Sequence, residues 1–126
     1  MSTKLLKTLR RDLEDERRKN LGFSRALDHL GFAPDKLDWA SLRQLHERDA
    51  DAAELLYGLE RGFVTSANVS ECRTQLEVIR KDTVRLRARV TSALPSSFQK
   101  RLKLALLVAD STISRDDLYD DIWVAP

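Results

Sequence analysis

Residues 68–90 read NVSECRTQLEVIRKDTVRLRARV. Within them Cys72, Leu76, Ile79, Thr83, Leu86 and Val90 recur at alternating spacings of four and three, with charged residues filling most positions between. That period lines the six side chains along one stripe of an α-helix. Neither Gly nor Pro interrupts the stretch before Pro95. The pattern fits one long helix, or two helices meeting near Arg80 to Thr83. It does not fit a strand, because apolar and polar residues fail to alternate.

N-terminal of this stretch the same period recurs. Leu5, Leu6, Leu9 and Leu13 predict an amphipathic helix over about Thr3 to Arg18. Asn20 to Gly22 is expected to break it. Phe23, Ala26, Leu27 and Leu30 then form a second helix, with Gly31 placed to end it. Pro34 and Asp35 restart the chain, Asp35 as an N-cap ahead of Leu37, Ala40 and Leu42. Asp49 or Asp51 is expected to open the next helix, which Leu55, Leu56 and Leu59 bury and Gly62 ends. Asn68 with Glu71 has capping-box spacing, as do Ser96 with Gln99 and Ser114 with Asp117. Phe98, Leu102, Ala105, Leu106 and Ala109 mark the buried side of a later helix. Leu118, Ile122 and Trp123 mark a last short one. The expected architecture is all-α: a compact antiparallel bundle of six to seven short helices. Residues 1–94 form the bundle. Residues 95–126 form a helical extension that packs on it or docks a partner.

Composition agrees. A chain of 126 residues, 42% of them apolar, suits one domain with a modest core. The single cysteine allows no internal disulfide and fits a reducing, cytoplasmic setting. Leu104 to Ala109 is the strongest apolar run and is far too short to span a bilayer, and no secretory leader is visible.

Nothing in the sequence assembles a catalytic centre or a cofactor site. His29 and His46 have no metal-like partners nearby, and Asp49 and Asp51 lack the glycine and glutamate of a calcium loop. No phosphate-binding glycine loop or nucleophile elbow occurs. Cys72 falls on the apolar stripe and reads as structural. Charge, by contrast, is strongly segregated. Residues 1–20 carry seven basic and four acidic groups, residues 28–60 three and eight, residues 71–103 nine and three, and residues 110–121 one and five. Blocks of alternating sign steer encounters with oppositely charged surfaces.

The segment Leu55 to Asp82 resembles the death-effector branch of the death-fold superfamily. The matching residues are Leu59, Glu60, Gly62, Phe63, Val64, Thr65, Asn68, Leu76, Ile79, Arg80 and Asp82, preceded by Pro34, Lys36, Leu37 and Asp38. Residues 23–32 are similar to a death domain's second helix, and Asp28 lies nearest the family's acidic position there. Thr83 and Val84 stand where the family commonly has leucines. The resemblance implies a helix break near Arg80 to Thr83 and homotypic assembly through charged and apolar faces. Arg80 and Asp82 would then form a charge cluster at the contact.

The expected function is therefore non-enzymatic: an adaptor or regulator that binds a protein partner through complementary charged faces. Arg80, Asp82, Arg85, Arg87 and Arg89 would carry the contact, with Asp28 and Trp123. An alternative is a small nucleic-acid-associated regulator using the basic 80–103 surface. Another is a compact phage- or plasmid-type inhibitor of a partner protein. No membrane role and no cofactor are expected.

Overall fold

The computed structural model describes residues 2–31 and 37–119. Over these residues it is all-helical. Helix α1 spans Ser2–His29, α2 Trp39–Glu60, α3 Val69–Ala93 and α4 Ser96–Thr112, followed by a 3-10 turn at Asp116–Leu118. The all-α expectation holds. The count of six to seven short helices does not: two expected breaks are absent, and of the two readings of residues 72–90 the one long helix is formed.

The reason is the same at each point. Along α1 the core-facing positions continue past Leu9 and Leu13 to Glu16 and Asn20, and then to Phe23 and Leu27, keeping the four-three spacing. Polar residues at two of those positions imitate a break, yet both are buried. In α2, Asp49 faces the interior instead of opening a helix, and α2 runs through it. In α3, Thr83 occupies a stripe position and is fully buried, so the helix passes through Arg80 to Thr83 without interruption. Gly22 also fails to break α1. It is buried in mid-helix, and a Cβ there would sit 3.4 Å from Ile113 Cδ1 of the segment after α4.

The helix ends follow from local chemistry. Asp38 caps α2, its Oδ1 accepting from Ser41 N at 3.1 Å and its Oδ2 from Ser41 Oγ at 2.7 Å. These two hydrogen bonds hold its carboxyl below the usual carboxylate range. Helix α2 ends in a Schellman arrangement: Phe63 N donates to Gly58 O at 2.8 Å and Gly62 N to Leu59 O at 3.3 Å. This requires a left-handed residue, and Gly62 supplies it at φ 76°. Two of the three expected capping boxes are not formed. Asn68 turns backward, accepting from Thr65 N at 2.7 Å and donating to Phe63 O at 3.0 Å. Gln99 donates to Leu94 O at 2.8 Å, closing the end of α3. Ser114 and Asp117 do form a reciprocal pair, at 2.9 and 3.3 Å. The expected N-cap Asp35 lies outside the described residues.

Side-chain pairs set the topology. Asp12, Glu16 and Asn20 of α1 meet Arg80, Thr83 and Arg87 of α3 in ascending order, so these helices run parallel. Arg10 and Arg17 meet Glu60 and Asp49, so α2 runs antiparallel to α1. Arg18 donates to Ile113 O at 3.0 Å and Glu14 pairs with Arg115 at 3.0 Å, so the chain after α3 descends along α1. The result is an up-down-up-down bundle. Helix α4 packs chiefly on α1 and less closely on α3, leaving a groove of about 380 Å³ lined by Gly22, Phe23, Thr91 and Leu106.

The core has two apolar halves. One gathers Leu9, Leu13, Leu56, Cys72, Leu76 and Ile79. The other gathers Phe23, Leu42, Leu45, Leu86, Val90 and, from α4, Leu102 and Ala109. Through Leu102 and Ala109, α4 shares this second cluster with α1, α2 and α3. Between the halves lies a polar layer. Arg17 pairs with Asp49 at 3.2 Å, and Asn20 donates to the same carboxylate at 3.1 Å. Arg87 donates to Asn20 and lies 3.6 Å from Glu16. The Thr83 hydroxyl donates to Glu16 Oε1 at 3.1 Å. Two cations face two anions, so the layer is formally neutral. Sliding one helix by a turn would part these pairs inside low dielectric, and the layer therefore fixes helix register.

Candidate interaction surface

The residues expected to form the contact do not come together as one face. Arg80 and Asp82 are two positions apart on α3 and so point in different directions. Arg80 pairs with Glu77 at 2.7 Å and Asp12 at 3.8 Å, while Asp82 lies 3.9 Å from Arg85. Arg87 points inward, its side chain only 17% exposed in the polar layer. Arg89 is exposed, and its charge reaches Asp38 at the start of α2. Asp28 is exposed near the end of α1, lining a hollow with Trp39 and His46. Trp123, expected in the contact, lies outside the described residues.

Other side chains give the surface its strongest unsatisfied feature. On α4, Leu104, Leu107 and Val108 are 68, 72 and 60% exposed. At 100° per residue they form a stripe opposite the side that Leu102 and Ala109 bury against the core. Lys100, Arg101 and Lys103 flank its N-terminal half and Asp110 its C-terminal half, all four exposed. A helix apolar on two opposite faces is normally covered on both. The signal was present in the sequence: Leu104 to Ala109 is six apolar residues in a row, more than one helical turn, so they cannot all face one side.

The segment after α4 is tied to α1. Tyr119 donates its hydroxyl to Glu14 Oε2 at 2.5 Å and accepts from Arg10 at 3.3 Å. Arg17 donates to Leu118 O, and Arg25 pairs with Asp117 at 3.2 Å. Burial, and then the hydrogen bond to Glu14, push the Tyr119 phenol above its ordinary pKa. The backbone N–H of Ser114 holds the Asp117 carboxyl low.

Among the described residues no three His, Cys, Asp or Glu side chains could hold a metal ion together. Cys72 is buried, and burial raises its thiol pKa, which disfavours the nucleophilic thiolate. Among the described residues no helix is long and apolar enough to cross a membrane. No family model matches the chain, and neither do any of the curated proteins or solved structures compared with it.

Proposed function

We propose that this chain is a non-enzymatic protein-interaction module, an adaptor or regulator whose contact surface is the outward face of α4. The observation that carries this reading is the stripe of Leu104, Leu107 and Val108, each more than half exposed on a helix already packed through its other side. Contiguous apolar exposure of this kind marks contact sites on small domains. The charged neighbours Lys100, Arg101 and Lys103 would set partner choice and encounter rate more than affinity.

The charged-face version of the reading receives less support. Arg80, Arg85 and Arg87 all pair within the chain, Arg87 in the interior. The same pairs weaken the nucleic-acid alternative, which needs cations free to neutralise phosphates. The death-fold resemblance implied a helix break near Arg80 to Thr83, and α3 has none, so the proposal does not lean on it.

The test is capture on the immobilised chain. Proteins held by the wild type should be lost from Leu107→Glu and kept by Val84→Glu, an exposed apolar position on α3. An identical bound set on all three overturns the reading. Steeply salt-dependent retention of random-sequence duplex DNA, with no protein retained, would move the function to the nucleic-acid alternative.

A further inference from the structure

We infer that the occupant of the α4 face is α4 of a second copy of this chain, paired antiparallel about a two-fold axis. The inference rests on the reading of that face given above and names its partner.

The spacing of the stripe is that of a coiled-coil seam. Leu104 and Leu107 stand three apart, at positions equivalent to a and d of a heptad, and Val108 borders them. In an antiparallel pair an a residue meets the partner's d residue, so Leu104 of one copy packs on Leu107 of the other and the reverse. Two such layers are related by the two-fold axis, which makes the contact self-complementary.

Charge selects this arrangement. Lys103 and Asp110 are seven residues apart and occupy the same edge of the seam, the position equivalent to g. Antiparallel pairing places the g edges of the two helices side by side. Lys103 of each copy then faces Asp110 of the other, giving two opposite-sign pairs across the axis. Parallel pairing would instead set the basic N-terminal halves of both helices, Lys100, Arg101 and Lys103, against each other. Opposed helix dipoles favour the antiparallel arrangement as well.

The size of the patch sets the strength. The three apolar side chains leave roughly 300–400 Å² to bury, against about 800 Å² per partner in a standard stable interface. The pair is therefore a weak dimer, with dissociation in the micromolar range or above.

Sedimentation of the full chain from about 10 μM to about 1 mM spans that range. The expected result is a monomer–dimer equilibrium. Leu107→Glu should abolish it with helix content unchanged, since the side chain is exposed. Lys103→Glu and Asp110→Lys should each weaken it by about tenfold. The double variant Lys103→Glu/Asp110→Lys should restore it. A monomer at every concentration overturns the inference, as does a dimer indifferent to Leu107→Glu or a double variant no better than the singles. The capture experiment is independent: a chain that stays monomeric yet loses its captured proteins on Leu107→Glu refutes self-pairing and leaves the interaction module standing.

Discussion

Replacing Arg87 by Met tests the polar layer. The substitution keeps the length of the apolar stem and removes the charge 3.6 Å from Glu16. Glu16 has a side chain only 2% exposed, so water cannot replace the lost partner. Its remaining contact is the Thr83 hydroxyl at 3.1 Å. Removing one member of a buried ion pair costs about 3–5 kcal/mol. The partial exposure of Arg87, 17%, puts this case near the lower end. A loss of about 3 kcal/mol is a large part of the stability of a small domain, about 5–15 kcal/mol. It should lower Tm by roughly 12 °C at this chain length. Replacing Glu16 as well reverses most of the loss, because no buried charge is left uncompensated. The residual cost of Glu16→Met/Arg87→Met is about 1 kcal/mol, from Asn20 losing the donor it accepts from. Urea unfolding followed by circular dichroism measures all three, with an unchanged m-value showing that stability alone has moved. The reasoning is refuted if Arg87→Met stays within about 0.5 kcal/mol of wild type, or if the double variant is as unstable as the sum of the singles.

Three further predictions concern the ends of the helices and the segment after α4. Asp38→Asn keeps a capping side chain but loses its charge, so the comparison isolates the carboxylate. The folded-state pKa of Asp38 is lowered, so its contribution is complete above the unfolded value of about 3.9 and fades as pH falls through the lower folded value. The stability gap between wild type and Asp38→Asn should hold at neutral pH and close in acid; a gap independent of pH would contradict the assignment. Gly62→Ala places a Cβ on a backbone at φ 76° and should cost about 1–2 kcal/mol in thermal unfolding, whereas a neutral result would mean that α2 ends differently. Tyr119 has a raised pKa, so its contribution is complete below the unfolded value of about 10 and is lost as pH rises through the higher folded value. The alkaline loss is therefore expected only above the unfolded value, and at neutral pH the Tyr119→Phe variant should show lower hydrogen-exchange protection over residues 113–119 than wild type; equal protection would remove the Tyr119–Glu14 bond from the account.

Much of the fold was legible in the residues themselves. The four-three spacing of Leu and Ala residues declares helices, and Gly31 and Gly62 mark two of their ends correctly. Asn20 and Asp49 misled the reading because a polar residue at a core position looks like an interruption until its partner is known, whereas Thr83 was read on the stripe it occupies. Those partners lie 29 to 67 residues away in the chain. The expected interaction residues show the same dependence on the rest of the fold. A cluster of arginines on one helix reads as a surface, yet Arg87 belongs to the interior and Arg80 and Arg85 are matched by nearby carboxylates.

Periodicity is a property of the chain, so the sequence alone determined the all-α class, the core stripe of α3 and the presence of more apolar residues on residues 104–109 than one helix face can hold. Whether a polar residue breaks a helix or joins a buried layer depends on charges brought from other helices. Which apolar face of α4 is covered depends on where α1 lies. Both are decided by long-range packing, because the energy of a buried ion pair or of an exposed leucine is set by what surrounds it and not by its neighbours in the chain.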